Sequence, residues 1–256
     1  MNALLNVENL HKGFVLHGQG GIALEVMQGL SLELHAGECL VLAGRSGIGK
    51  STLLKMLYGN YRVSSGSIKL NFSDGPLELS DLPAHAWHPM RRDVIGYVSQ
   101  FLRVVPRVSA CEVVMEPLLA RGADTVEARA RAETLLARLN LPERLWRLPP
   151  GTFSGGEQQR VNIAQGFIAE HPILLLDEPT ASLDAINRAV VIELIAEAKA
   201  RGTAMLGIFH DADVRECVAD RLLPLDEHLM AQLSSQSQLC PQTGIASGKN
   251  LTGENP

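Results

Sequence analysis

A glycine-rich segment at residues 44–51 is the feature that most constrains what this chain can fold into. It has the sequence GRSGIGKS and fits the pattern G-x-x-x-x-G-K-[ST], in which a strand runs into a phosphate-wrapping loop and then into a helix. The pattern therefore predicts a strand–loop–helix unit that binds the phosphates of a nucleotide. The predicted contacts come from Gly44, Arg45, Ser46, Gly47, Ile48, Gly49, Lys50, Ser51 and Thr52.

A second segment, FSGGEQQR at residues 153–160, predicts another helix N-terminus that attracts anions. Ser154 and Glu157 have the spacing of a capping box. A simple cap explains these two residues but not Gly155 and Gly156, which allow an anion to approach the backbone closely. The chain thus has two phosphate-binding loops but a single lysine-bearing nucleotide site. This imbalance predicts that the second loop completes a site on another subunit.

Short apolar segments alternate with helical segments along the chain, which is typical of an α/β protein with a parallel sheet covered on both faces. Strands are predicted at residues 38–43, 94–99, 173–176, 204–209 and 222–225. The N-terminal region up to about residue 35 and a hairpin at residues 67–79 predict an antiparallel layer. Residues 126–139 have apolar side chains at helical spacing, which predicts a helical insertion between strands.

Polar residues follow the predicted parallel strands at the point where each strand ends. Gln100 follows the second strand, Asp177 and Glu178 follow the third, and His210 follows the fourth. In open parallel sheets, ligands bind outside the carboxyl ends of the strands. We therefore expect these residues to meet the 44–51 loop in one crevice.

The residue types in this crevice predict an ATP site with Mg²⁺. Lys50 is predicted to neutralise the β- and γ-phosphates. Glu178 is predicted to orient or deprotonate the attacking water, and Gln100 and His210 to act with it as catalytic residues that sense the γ-phosphate. The predicted metal ligands are Ser51, Gln100 and Asp177.

Each of these residues also has an ordinary structural interpretation. Taken alone, Gln100 is typical of an amide at the protein surface. His210 alone is typical of a histidine whose ring nitrogens have hydrogen-bond partners in the core or at the surface. Asp177 and Glu178 resemble two solvated acids, but an acid directly after four apolar residues needs a partner such as a metal. Phe14 is predicted to stack on the adenine, with packing in the core as the alternative.

The composition argues against several classes of protein. The net charge of −5 and the pI near 5.9 disfavour a protein dominated by contacts with nucleic acid. No apolar run approaches the roughly 18 residues that span a bilayer, and a signal-peptide pattern is absent, so no direct membrane insertion is predicted. The four cysteines are scattered, which is typical of reduced thiols in a cytoplasmic protein.

Taken together, the two loops, Gln100, the Asp177-Glu178 pair, the segment ASLD at 181–184 and His210 resemble the ATP-binding-cassette (ABC) ATPases. The resemblance implies one ATP-binding domain at residues 1–230, with a RecA-like parallel sheet core, an antiparallel β layer and a helical subdomain at about 101–160. Residues 231–256 are predicted to be a disordered tail. The resemblance also implies a head-to-tail dimer of two copies, in which ATP lies between residues 44–52 of one chain and 154–157 of the other, with Asp184 at the site.

Residues 96–120, 139–147, 152–169 and 207–212 resemble more closely the L-subunit family of the phosphonate carbon–phosphorus (C–P) lyase system. This resemblance implies an ATPase that works with the other C–P lyase subunits and supports formation of α-D-ribose 1-methylphosphonate 5-triphosphate. Two alternatives stay open. The ATPase subunit of a membrane transporter carries the same ATP-site residues. ABC proteins that act on ribosomes or DNA usually have two cassettes or a long coiled-coil insertion, and this chain has one of each motif.

Overall fold

The computed structural model describes residues 3–226 except residues 17, 19–21 and 104, and the predicted tail at 231–256 lies outside these residues. The strands of the described part are β1 Leu5–Leu16, β2 Ile22–Leu34, β3 Cys39–Ala43, β4 Ser65–Phe72, β5 Gly75–Glu78, β6 Ile95–Val98, β7 Ile173–Asp177, β8 Ala204–Ile208 and β9 Arg221–Pro224. Its α-helices are α1 Lys50–Leu57, α2 Trp87–Pro89, α3 Ala110–Ala120, α4 Thr125–Arg138, α5 Glu143–Trp146, α6 Gly155–Phe167, α7 Ala185–Ala200 and α8 Ala212–Val218.

Five strands form a parallel sheet in the order β6-β7-β8-β3-β9. The order along the sheet differs from the order along the chain, since β3, the first of these strands in the chain, lies between β8 and β9. The carboxyl ends of all five strands lie at the same edge. This confirms the predicted α/β class and brings the segments after β3, β6, β7 and β8 together.

The sheet is buried on both faces, as β7 shows. Its residues Ile173, Leu174, Leu175 and Leu176 are at most 3% exposed. Ile173 and Leu175 pack into a core that includes α1 and the antiparallel layer, whereas Leu174 and Leu176 pack into a second core with the long helices. A strand covered on both faces needs apolar side chains at every position.

The antiparallel layer has the strand order β2-β1-β4-β5 and confirms the prediction of such a layer. Its sequence alternates only loosely because the pairing of β1 with β2 shifts register after Val7, after Leu10 and after Lys12. Asn9, within this irregular stretch, has a φ of 48°. As a result Val7 and Leu10, three positions apart, are both buried in the same core.

Four helices, α3 to α6, lie between β6 and β7 in the chain. Two arginines of this insertion attach to the end of α6, since Arg131 donates to the carbonyl of Ile168 at 3.0 Å and Arg121 donates to that of Ala169. In the described part of the chain, no helix has the length and apolar character needed to cross a membrane.

Candidate nucleotide-binding site

The segment at residues 44–51 forms the loop between β3 and α1. Gly47 and Gly49 have φ values of 82° and 105°, which residues with a Cβ atom rarely adopt. A Cβ atom on Gly49 would also lie 2.9 Å from Cγ1 of Val26. The path of the loop therefore depends on its glycines.

Helix α1 begins at the end of this loop without a side-chain cap. Its N-cap residue is Gly49, no side chain accepts from its first turn, and that turn has no acidic residue. The first N–H groups of a helix have no acceptor within the helix and carry the positive end of its dipole. A phosphate would accept hydrogen bonds from these N–H groups and would interact favourably with the dipole.

Of the other predicted contacts, Gly44, Arg45, Ser46 and Gly47 are exposed, and Ile48, Ser51 and Thr52 are half-buried.

The ammonium group of Lys50 is held against the loop. Lys50 is 8% exposed, and its Nζ donates to the carbonyls of Gly44 at 2.6 Å and Arg45 at 2.9 Å. Two carbonyl acceptors compensate the burial of a charged group. The charge therefore lies beside the glycine-rich loop, where the motif requires it.

Asp226 also contacts the loop, and the sequence analysis missed it. Its Oδ2 accepts from the backbone N–H of Arg45 at 2.9 Å, and its Oδ1 lies 3.4 Å from Arg45 Nε. Asp226 comes two residues after β9, in which Pro224 pairs with Ala43 at the end of β3. No motif marks this residue, and only knowledge that β9 lies next to β3 would have pointed to it.

The carboxylate of Asp177 accepts one hydroxyl group on each oxygen. Ser51 Oγ donates to Oδ1 at 3.0 Å, and the Tyr97 hydroxyl donates to Oδ2 at 2.9 Å. Burial raises the pKa of Asp177, the two hydroxyl groups lower it, and the charge of Glu178 raises it. Tyr97 was not among the predicted residues. Its own pKa is raised, first by burial and then by the charge of Asp177, so its hydroxyl stays a donor.

Three predicted catalytic residues come together at Glu178. Its carboxylate accepts from Gln100 Nε2 at 3.1 Å and from His210 Nε2 at 2.6 Å. Glu178 has a φ of 53°, an uncommon value for a residue other than glycine that turns the chain sharply after β7. A carboxylate held between an amide and an imidazole at the sheet edge can accept a proton from water. No hydrogen bond in the described part joins Gln100 to Ser51 or Asp177, and its role as a metal ligand stays a prediction.

The second loop forms a complete capping box at the start of α6. The backbone N–H of Ser154 donates to Glu157 Oε2 at 2.8 Å, and the N–H of Glu157 donates to Ser154 Oγ at 3.4 Å. The hydrogen bonds from Ser154 lower the pKa of Glu157. Gly155 is exposed and a Cβ atom there would meet nothing within 4 Å, whereas a Cβ atom on Gly156 would lie 2.9 Å from the carbonyl oxygen of Ser182.

Phe14 and Asp184 lie in contacts of their own. The ring of Phe14 packs edge-on against Tyr61, with centroids 5.4 Å apart, and lies 4.6 Å from Lys12 Nζ. Asp184 caps α7 by accepting from the N–H of Asn187 at 2.8 Å, and this bond is the main reason that its pKa is lowered. For both residues, a role in nucleotide binding stays a prediction.

The donor set fits ATP and Mg²⁺. An uncapped helix N-terminus and a lysine suit the phosphates, while the hydroxyl of Ser51 and the carboxylate of Asp177 supply the oxygen ligands that Mg²⁺ prefers. All of these groups lie at the carboxyl edge of the parallel sheet.

Comparison with known families identifies the class of this protein. The family model described as ABC transporter matches residues 27–181, more than half of the chain. The chain therefore belongs to the ABC transporter family, and within it to the ABC-type ATPases.

Similar curated proteins carry the names of ABC ATP-binding subunits. An uncharacterized ABC transporter ATP-binding protein of Mycobacterium tuberculosis is 39% identical over 222 residues, which are 87% of this chain and 63% of that protein. LolD, the lipoprotein-releasing system ATP-binding protein of Pseudomonas fluorescens, is 38% identical over 231 residues, which are 90% of this chain and 98% of LolD. The chain thus spans slightly less than two thirds of the mycobacterial relatives but nearly all of LolD.

Solved structures confirm the predicted fold. The dimeric ATP-binding cassette MJ0796, in a post-hydrolysis state bound to ADP and phosphate, superimposes with a TM-score of 0.77 at 29% identity, covering 86% of this chain and 93% of that one. The ATP-binding subunit of another ABC transporter gives 0.73 at 25% identity, covering 90% and 93%.

Proposed function

We propose that this chain hydrolyses ATP and that it supplies the energy for a larger assembly. The observation that carries the proposal is the hydrogen-bonded group of Glu178, Gln100 and His210 beside the buried carboxylate of Asp177. A base, an amide and an imidazole held around one point suit the activation of a water molecule. ABC ATPases as a class use such a site with Mg²⁺.

Each residue has a role in this mechanism. Lys50 and the N-terminus of α1 bind the phosphates, and Thr52 reaches the α-phosphate. Ser51, Asp177 and Gln100 would hold Mg²⁺, which would neutralise charge on the phosphates. Glu178 takes the proton from the attacking water, while His210 and Gln100 orient the groups around it. Phe14 stacks on the adenine.

Two copies of the chain complete each site. In the described residues, no hydrogen bond or ion pair joins the 154–157 loop to the 44–52 loop of the same chain. The N–H groups of Gly155 and Gly156 are at the start of a helix and lack intrahelical acceptors, so they can donate to a phosphate held by another copy. The dimeric state of the cassette MJ0796 supports this arrangement.

The partner that the comparisons support best is a membrane transport assembly, on which this chain would act from the cytoplasmic side. LolD is named for a lipoprotein-releasing system, and PvdT of Pseudomonas aeruginosa, 38% identical over 82% of this chain and 31% of its own length, is named as a pyoverdine export ATP-binding/permease protein. A groove of about 1040 Å³, which Gln100 shares with Ser51, Tyr97 and Asp177 of the candidate site, also offers a surface to a partner. Exposed Phe101 and Val105 and the basic side chains of Lys55, Arg91, Arg92 and Arg103 line this groove.

A second candidate is the ATPase of the phosphonate C–P lyase machinery, acting in the cytoplasm with the other subunits of that system. The observation that favours it is the resemblance of residues 96–120, 139–147, 152–169 and 207–212 to the L-subunit family. Several apolar residues of the first segment, including Val113, Val114 and Met115, pack inside the core. Its exposed part around Phe101 is therefore the stretch available for a partner.

The hydrolysis proposal is tested by Glu178→Gln. The amide keeps the shape of the side chain and removes its basicity, so turnover should fall by about 100-fold or more, while ATP binding persists. ATP should then trap a dimer that size-exclusion chromatography detects. Glu216→Gln, which changes an exposed acid on α8, is the matched control and should behave as wild type. Normal turnover in Glu178→Gln would remove this residue from the mechanism.

Gene deletion distinguishes the two assemblies. If the chain serves phosphonate breakdown, the deletion strain should fail to grow on methylphosphonate as the sole phosphorus source, and its extracts should fail to process the compound. If the chain serves a transporter, uptake of the transported substrate should stop. Extracts of the deletion strain should then process methylphosphonate to the same extent as wild-type extracts. In both cases the Glu178→Gln gene should not restore the lost function.

A further inference from the structure

The hydroxyl group of Tyr97 contacts the candidate metal ligand Asp177, although no motif identified in the sequence includes Tyr97. Tyr97 is in β6 and pairs with Leu175 of β7, two residues before Asp177. Its hydroxyl donates to Asp177 Oδ2 at 2.9 Å, on the oxygen that Ser51 does not contact. Asp177 is 2% exposed, and within the described residues Ser51 and Tyr97 are the side chains that donate to its carboxylate.

We propose that Tyr97 is a positioning residue that fixes the carboxylate of Asp177 for binding of Mg²⁺. This inference rests on the proposed ATPase function. With a hydroxyl donor on each oxygen, the plane of the carboxylate is set before metal arrives. Without Tyr97, Oδ2 is a buried charged oxygen without a donor, and the side chain gains freedom to rotate away from the orientation that Ser51 alone supports.

The ring of Tyr97 is itself held in place. It packs against the ring of Tyr58 with centroids 5.0 Å apart, and the guanidinium group of Arg91 lies 5.0 Å from the centroid of Tyr58. Arg91 Nε in turn donates to the carbonyl of Tyr58 at 3.0 Å. These contacts fix the ring, so the direction of its hydroxyl is determined by packing as well as by the bond to Asp177.

A role of Tyr97 in metal binding differs measurably from a role in stability alone. A tyrosine that merely fills space should give the same metal dependence after loss of its hydroxyl. A tyrosine that positions a metal ligand should affect metal binding by about tenfold or more, the usual effect of removing a partner of a ligand. Tyr97→Phe keeps the ring and removes only the hydroxyl.

The experiment measures the affinity of the full chain for a non-hydrolysable ATP analogue, once in excess Mg²⁺ and once in EDTA. The ratio of the two affinities reports the contribution of the metal. In Tyr97→Phe, this ratio should fall by about tenfold, or to one if the wild-type gain is smaller, and the affinity in EDTA should not change. Tyr58→Phe is the matched control, because it removes a hydroxyl from the adjacent ring without a contact to Asp177, and it should keep the wild-type ratio.

Three other outcomes have different meanings. An unchanged ratio in Tyr97→Phe would overturn the proposal. Equal losses in Tyr97→Phe and Tyr58→Phe would show that the effect does not depend on the contact with Asp177 and would overturn it as well. A wild-type chain that binds no analogue in either buffer would contradict the proposed function itself. Thermal unfolding without ligand checks that each variant is folded.

Discussion

The two loops predicted to bind phosphate begin helices of very different construction. Helix α1 starts at Gly49 with no side-chain cap and no acidic residue in its first turn. Helix α6 starts at Ser154 with a full capping box and Glu157 in its first turn. The N-terminus of α1 thus leaves its N–H groups available to a ligand, whereas the capping box of α6 accepts hydrogen bonds from N–H groups at its own N-terminus.

This difference indicates whether each loop has its hydrogen-bond partners before a nucleotide binds. The loop before α1 has carbonyls around Lys50 and a carboxylate, Asp226, on the N–H of Arg45. These groups have to give way to, or share space with, a phosphate. The start of α6 is ordered by its own side chains, with exposed Gly155 at its tip. We infer that the first loop depends on nucleotide and that the second loop is a preformed surface for a nucleotide on another copy.

The sharpest test of the comparison sets Lys50→Ala against Gly155→Asp. Lys50→Ala removes a cation from the phosphates and should lower both nucleotide affinity and turnover, the latter by about 100-fold or more. Gly155→Asp adds a negative charge where a phosphate of the other copy should bind. It should therefore lower turnover by about 10-fold to 100-fold while the isolated chain binds nucleotide normally.

Matched variants and a mixing experiment complete this test. Lys55→Ala, on the same helix, and Gly155→Asn, with a neutral side chain of similar size, are the controls. Gly155 is preferred to Gly156, because a Cβ atom on Gly156 would disturb Ser182 within the same chain. Mixing Lys50→Ala with Gly155→Asp forms heterodimers with one intact shared site, and part of the activity should return. Weak nucleotide binding by isolated Gly155→Asp would show instead that both loops act on the same copy's ligand.

Much of the fold could be predicted because its signals are local. The parallel strands are short apolar runs followed by a polar residue, and the sheet edge then brings these polar residues together. The bounds of the strands differ from the predictions by one or two residues, since hydrogen bonding rather than composition determines where a strand ends.

The missed residues depend on contacts between distant segments. Tyr97 reaches Asp177 because β6 pairs with β7 in one particular register, and Asp226 reaches Arg45 because β9 lies beside β3. No local sequence pattern predicts the register or the order of these strands. The second loop illustrates the opposite case, since the spacing of Ser154 and Glu157 was enough to predict its capping box.

A second test concerns the C-terminal end of α6, the helix that begins with the capping box. His171 lies a few residues after this end. His171 is buried, its Nε2 lies 3.2 Å from the carbonyl oxygen of Arg91, and its Nδ1 is among the buried atoms of the described residues that have no partner. Burial, reinforced by the charge of Arg121 and opposed by Asp93, lowers the pKa of His171 to about 4.

The sign of the pH effect follows from this depressed pKa. In the unfolded chain, His171 takes up a proton below about pH 6.5, whereas in the folded chain it stays neutral to about pH 4. The free energy of unfolding should therefore fall as the pH falls through this window, by about 1 kcal/mol between pH 7 and 5.5. In His171→Gln this part of the pH dependence should disappear, as urea unfolding would measure. His88→Gln, which changes an exposed histidine, should keep it, and an unaltered slope in His171→Gln would contradict the assignment.

A further test, with an effect no larger than that of His171, addresses the capping difference itself. Ser154→Ala removes the acceptor for the N–H of Glu157 and should lower the free energy of unfolding by about 1 kcal/mol without nucleotide. Ser46→Ala, in the uncapped first loop, should leave it unchanged, because Ser46 is exposed and caps no helix. Adding nucleotide should then stabilise Ser154→Ala as much as wild type, since the ligand of the isolated chain is expected to bind at α1 and not at α6. If Ser46→Ala were as destabilising as Ser154→Ala, the first loop would be as self-supporting as the second, and the dependence of α1 on nucleotide would be lost as an explanation for its missing cap.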